Sequence, residues 1–311
     1  MLLQGLNKSA DQLRELTLRT VGLKRDPGPG PAHPALVSAE AIPPRPANAL
    51  RLVSLNVGHG RRTATHQALL LERTARRNVS EVGRILHTVR ADVLALQEAD
   101  GPSAWSGNFD HVESLARHAR LLHHYRGDHN PFGSPRFPLA SGTALLSAWP
   151  LGERLSRRFR SNWRDTKGFV VATIRVPRWR DLEIDLVSVH LDFLRPALRR
   201  QQILRMVEEL QTRRGQRPMV VLGDLNCCWQ REPDSLRLLA ETLGVRPFEP
   251  QRTVPTFPAH NPRRRLDWIL VSRELTWHAH HTLRTPLSDH LGIVGDVVPV
   301  RSRRTAPCGR S

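Results

Sequence analysis

The amino-acid sequence predicts an α/β protein, with β-sheets covered by helices. Two observations predict it. The chain carries eight short apolar runs rich in Val, Ile and Leu, and stretches of helical periodicity lie between several of them. With 311 residues, 39% hydrophobic and 24% charged, it has ordinary globular composition and the length for a sizeable core.

The elements follow in chain order. Residues 9–22, SADQLRELTLRTVG, fit a short amphipathic helix capped by Ser9. The stretch DPGPGPAHPALVSAEAIPPRPANA, from Asp26 to Ala49, is dense in Pro and Gly, which exclude regular structure, so it reads as a linker or a strap. Strands are expected at LRLVSLN, DVLALQE, TALLSAWP, GFVVATIRV, LEIDLVSVH, PMVVLGDLN, LDWILVS and GIVGDVVPV. Between them, NVSEVGRILHTV sets Val79, Val82, Ile85, Leu86 and Val89 on one helical face. RPALRRQQILRMVEELQ does the same with Leu198, Ile203, Met206, Val207 and Leu210, and EPDSLRLLAETLG ends on Gly244 as a C-terminal cap. Three regions result: a segment 1–49, a folded body over 50–299, and a basic tail 300–311.

Lys and Arg together number 47 against 29 Asp and Glu, a net charge of +18, and the only lysines are Lys8, Lys24 and Lys167. An excess made of arginine favours partners that bear phosphate, because the planar guanidinium forks onto phosphate oxygens. Charge alone does not separate nucleic acid, phospholipid headgroup and small phosphate ester. Three cysteines, Cys227, Cys228 and Cys308, make neither a disulfide framework nor a thiolate zinc site, so a reducing, cytoplasmic setting is expected. No apolar run reaches the roughly 18 residues of a membrane span. A monomer without a transmembrane segment is the expectation.

The chemistry-bearing residues recur at one place in this pattern. Asn56, Glu98, His190, and Asp224 with Asn226 each end an apolar strand. Asp267 begins LDWILVS, and Asp289 and His290 lie just before the last strand. Any one of these acids is ordinarily a turn residue or a helix cap. That all share one topological position is not what independent caps would do, and strands laid side by side would bring them to a single rim. The set offers hard oxygen ligands without sulfur, which suits Mg²⁺ or Mn²⁺. The histidine pairs His123–His124 and His280–His281 lack such context and read as surface residues.

Taken in order, SLNVGHG, VLALQEAD, GTALLSAWPL, VSVHLDF, VVLGDLN, RRLDWILVS and LSDHLGIV resemble the endonuclease/exonuclease/phosphatase superfamily of metal-dependent phosphoesterases over about residues 50–299. The resemblance implies a DNase I-like, four-layered α-β-β-α sandwich of two mostly antiparallel sheets, with one active site at the sheet rim. It implies that Glu98 is the principal metal ligand, with Asn56 and Asp289 beside the metal. It further implies that His190 contacts the scissile phosphate, that Asp224 and Asn226 orient the attacking water, and that Asp267 holds the imidazole of His290. Either His290 or Asp224 is then the general base.

The expected activity is in-line hydrolysis of a phosphodiester. Nucleic acid is the first substrate; a phospholipid headgroup or small phosphate ester is the alternative, and a binding-only family member is a third reading. His190 stands where abasic-site endonucleases of the superfamily carry tyrosine, and VHLDF departs from the His-Thr-Gln pattern of the sphingomyelinases. GDLNCCWQREPDS lacks the serine common after the asparagine in deadenylases. Trp105, Trp163 and Trp229, with the arginines of HNPRRRLDW and RRFRSNWR, are expected in loops bordering the site, where basic and aromatic side chains suit nucleic-acid strands.

Overall fold

A computed structural model describes residues 32–62, 64, 71–130, 134, 136–160, 166–231, 233–252 and 254–300. The helix expected over 9–22, Trp163 and the residues of the basic tail beyond Val300 lie outside them. The unit Met1–Pro31 is likewise outside, and the described residues belong to a second unit that starts at Ala32.

Thirteen strands are described: β1 Ala32–Val37, β2 Leu50–Asn56, β3 Val93–Asp100, β4 His123–Arg126, β5 Ser141–Ser147, β6 Gly152–Arg158 and β7 Gly168–Val176, then β8 Leu182–His190, β9 Met219–Asp224, β10 Val245–Pro247, β11 Asp267–Ser272, β12 Leu275–Leu283 and β13 Ile293–Pro299. They form two sheets, ordered β1-β12-β13-β2-β3-β5-β4 and β10-β11-β9-β8-β7-β6. Most neighbours pair antiparallel; β1 with β12, β2 with β3 and β8 with β9 are parallel. The helices are α1 Glu72–Val89, α2 His111–Ala119, α3 Pro196–Leu210 and α4 Pro233–Leu243.

Strand alternation assigns the layers. Leu50 and Leu52 of β2 pack with Leu186, Leu222 and Ile269 between the sheets, while Val53 and Leu55 face outward onto Val79, Val82 and Leu86 of α1 and Leu115 of α2. On the other side Val187, Val189 and Val221 meet Ile203, Met206 and Leu210 of α3 and Leu236 and Leu239 of α4. This is the expected α-β-β-α sandwich.

Local signals explain the helices. Asp110 caps α2 by accepting from the Glu113 backbone N–H at 2.9 Å. Pro196 occupies the first turn of α3, where its missing N–H is harmless. Gly244, at φ +68°, takes the left-handed conformation that ends α4.

The Pro-rich stretch contains regular structure, contrary to expectation: β1 pairs with β12 inside it. It is an edge strand with a register break between Ala32 and Ala35, and Pro34 falls in that break, where no ladder N–H is required. Regular structure therefore begins before the boundary expected near Leu50.

His280 and His281 are also corrected, being 0% and 4% exposed rather than on the surface. Their strand lies inside the seven-stranded sheet, and the His280 ring stacks flat on Phe248 at 5.1 Å. His123 and His124, on edge strand β4, are exposed as expected.

Candidate active site

Helical crossovers bring the candidate residues to one rim. Between β2 and β3 runs α1, and between β8 and β9 runs α3, so each parallel pair ends on the same side. Asn56 thus ends beside Gln97, and His190 ends opposite Asp224. Because β11 runs antiparallel to β9, its first residue, Asp267, lies opposite Asp224. Asn56, His190, Asp224 and Asp267 each continue the inter-sheet face of their strand by the two-residue period.

Glu98 breaks that period. Val93, Ala95 and Gln97 face the second sheet, so strict alternation would send Glu98 outward to the helices. A bulge between Leu96 and Ala99 of the β3–β5 ladder intervenes, with Glu98 itself at φ +50°, and re-aims the carboxylate. Asn226, also at φ +50°, is a second strained residue of the rim.

The eight residues form one connected network. Asn56 Nδ2 donates to Asp224 Oδ2 at 3.1 Å, and the Asn226 backbone N–H donates to Asp224 Oδ1 at 3.0 Å. His190 Nε2 and His290 Nε2 approach Asp224 Oδ2 at 3.5 and 3.7 Å. His290 Nδ1 donates to Asp267 Oδ2 at 3.0 Å. The remaining two acids join through cations: Arg61 lies 2.5 Å from Asp289 and 3.7 Å from Glu98, and Lys167 lies 3.7 Å from Glu98 and 2.9 Å from His190.

Electrostatics sort these groups by role. Burial alone would raise the Glu98 pKa, but His59, Lys167 and Arg61 outweigh it and hold the carboxylate well below its usual range. Burial also opposes charge on His290, yet Asp267 and then Asp224 prevail and raise it to about 10, an imidazolium at neutral pH. Burial raises Asp224 to about 6 against the attraction of His290. Burial, then the Lys167 ammonium, push His190 far down, so it is neutral and one ring nitrogen accepts from Lys167.

A model of the endonuclease/exonuclease/phosphatase family matches residues 53–290. The chain belongs to this family. The uncharacterised protein YbhP of Escherichia coli is 28% identical over 195 residues, 61% of this chain and 76% of that one. An endonuclease/exonuclease/phosphatase from Beutenbergia cavernae superposes with TM-score 0.64 at 19% identity, covering 81% of this chain and 72% of the other. The catalytic domain of human Nocturnin, solved with a bound sulfate anion, superposes with TM-score 0.63 at 19% identity, covering 81% and 94%. Family members are generally phosphoester hydrolases that depend on a divalent metal.

The donor set of this family member fits a hard divalent cation. Asp224, Asp267 and His290 bring ligand atoms within 4.8 Å of one another, and Asp267 Oδ1 is buried without a hydrogen-bond partner. Within this trio His290 Nδ1 is held by Asp267 and His290 Nε2 faces Asp224 at 3.7 Å, so the same groups can also share protons. The Glu98 and Asp289 carboxylates likewise converge on one positive group, the Arg61 guanidinium.

Sequence reasoning missed the cations of the rim. His59 bridges Asp100 Oδ1 at 2.9 Å and Glu98 Oε2 at 3.4 Å; Arg61 and Lys167 complete the ring around Glu98. A signal for Lys167 existed, since it is the one lysine of the expected folded body and directly precedes β7, whose Gly168 lies opposite His190. Trp105 does border the site, lining a small pocket with Glu98 and bonding Asp100. Trp229 instead packs half-buried against the core beneath α3 and α4. Cys227 is buried and Cys228 half-buried. Among the described residues no helix is long and apolar enough to cross a membrane.

Proposed function

We propose that the protein is a Mg²⁺- or Mn²⁺-dependent phosphodiesterase that cleaves nucleic-acid strands by in-line attack of water. The observation that carries this reading is the rim network, in which an ionised Glu98, a neutral His190, a cationic His290 and an Asp224 with a pKa near 6 are joined through Lys167 and the Asp224 carboxylate.

Glu98, Asn56 and Asp289 would hold the ion, which supplies neutralisation of a phosphate oxygen and of the charge that grows there in the transition state. Asp224, oriented by Asn56 and by the Asn226 backbone N–H, accepts a proton from the attacking water. His290 is already protonated and has Asp267 on Nδ1, so it donates from Nε2 to phosphate instead of acting as the base. His190 and Lys167 contribute further donors to the same group.

A phospholipid headgroup is the second reading, favoured by Phe193 and Leu194, which are 62% and 68% exposed just after His190. Turnover on a panel of single-stranded DNA, duplex DNA, RNA, phospholipid vesicles and sugar or nucleotide phosphates tests the choice. Best turnover is expected on a nucleic acid, and binding to His290→Ala should weaken with salt at a slope matching about four or more phosphates. A flat salt response, or turnover confined to vesicles or small esters, would refute the nucleic-acid reading.

A further inference from the structure

We infer that the cleft lined by Arg231, Arg263 and Arg264 binds the phosphate next to the scissile one along a nucleic-acid strand; this rests on the phosphodiesterase reading above. The cleft has a volume of about 540 Å³, and Phe257, Pro258, His260 and Asn261 complete its lining, without an acid. Several other arginines are paired with acids: Arg45 and Arg178 converge on Asp92, Arg51 on Asp296, and Arg213 and Arg217 on Glu153. Among the described residues no carboxylate lies within 4.0 Å of Arg231, Arg263 or Arg264. Three guanidinium groups gathered with no carboxylate beside them among the described residues repel one another, and an anion relieves that repulsion while offering oxygens that match their fork.

The cleft is built onto the active site. Phe257 is its shared wall, with its ring 4.6 Å from the His290 ring on one side and the Arg264 guanidinium 5.0 Å away on the other. The loop is closed by a bridge between Phe257 and Arg264, with Arg263 and Arg264 N–H groups donating to the Phe257 carbonyl at 2.9 and 3.0 Å. It also clasps His290 from both sides: the Ala259 N–H donates to the Asp289 carbonyl at 2.7 Å, and the Leu291 N–H to the Thr256 carbonyl at 2.8 Å. Arg231 arrives from the segment after β9, the strand that carries Asp224. Anion contacts are thereby held in fixed register with His290 and Asp224. A small phosphate ester has no second phosphate to reach this cleft, and a lipid headgroup would leave its charge unmet.

The test is the double variant Arg231→Gln/Arg263→Gln. It leaves Arg264 and its stacking on Phe257 intact. The ratio of kcat/KM on a short single-stranded oligonucleotide to that on bis-p-nitrophenyl phosphate, which has no flanking phosphate, should fall about tenfold or more. In parallel, fluorescence anisotropy with a labelled oligonucleotide should show weaker binding and a salt slope shallower by about 0.7, because one phosphate is no longer neutralised. An unchanged ratio with unchanged affinity would overturn the inference, as would turnover restricted to phospholipid vesicles. So would oligonucleotide binding that is undetectable in the wild type. If the wild type binds the oligonucleotide and the variant does not, but nothing is hydrolysed, the subsite stands and the phosphodiesterase reading falls.

Discussion

Gly223, the residue before Asp224, gives the sharpest link between backbone and site. It lies opposite Val189 in the parallel ladder of β8 and β9, one step from the pair His190–Asp224. A Cβ at Gly223 would sit 1.9 Å from the Val189 carbonyl oxygen, where real Cβ contacts are not found below 3.0 Å, so Gly223→Ala must part the strands by more than about 1 Å. Overpacking of this kind costs about 1–3 kcal/mol, which a domain with an ordinary stability of about 5–15 kcal/mol survives. Misplacement of reacting groups by about 1 Å lowers rates about 100-fold. Turnover of bis-p-nitrophenyl phosphate should therefore fall about that far in a variant that still melts cooperatively. Gly152→Ala is the control, since its new Cβ would meet only the Thr173 carbonyl at 3.8 Å. Turnover of Gly223→Ala within about threefold of wild type would refute the claim that this register positions the site.

Four further predictions follow from the structure. His290→Ala and Asp224→Asn should each lower turnover by about two orders of magnitude or more. Because the folded pKa of Asp224 is raised to about 6 above an unfolded value near 3.8, its ionised form destabilises the fold above pH 6 and not below about pH 4; Asp224→Asn should gain up to about 3 kcal/mol at pH 8 and nothing at pH 4 in thermal melts. An equal midpoint at pH 8 would mean that the Asp224 charge is fully compensated. The pH–rate profile should rise through about 6 as Asp224 ionises and fall toward about 10 as His290 loses its proton; a profile that only rises toward 10 would make His290 the base. Asp296→Ala strands the buried Arg51, now paired at 2.8 and 2.7 Å, and should cost about 3–5 kcal/mol in denaturant unfolding, whereas a wild-type midpoint would show that the pair contributes no net stability.

All eight apolar runs read in the sequence are strands, namely β2, β3, β5, β7, β8, β9, β11 and β13. The unread ones are instructive, because β1, β4, β6 and β10 are the four sheet edges. Edge strands face water along one side, and here they are written in polar or Pro-containing segments such as HHYR and GERLSRR, without the apolar signal of an inner strand. The fifth, β12, carries its buried positions partly as histidine, which hydropathy reads as surface. Helix α2 was too short, at nine residues, to display a clear period.

Legibility of the site followed the same physics. Asn56, Glu98, His190, Asp224 and Asn226 end apolar runs, so their polarity contrasts with what precedes them. His59, Arg61 and Lys167 come from connecting segments, where polar residues are the norm and contrast is absent. The bulge that turns Glu98 toward the rim depends on its pairing with β5, a long-range property that no local pattern displays.

The central claim is that this rim hydrolyses phosphodiesters with a divalent ion, and one measurement tests it most directly. Purified protein, stripped with EDTA, is assayed on bis-p-nitrophenyl phosphate with and without added Mg²⁺ or Mn²⁺, alongside His290→Ala prepared the same way. The account predicts turnover that vanishes on chelation, returns with either ion in the wild type, and stays about 100-fold lower in the variant. Full activity after exhaustive chelation, or equal activity in the two proteins, would contradict it.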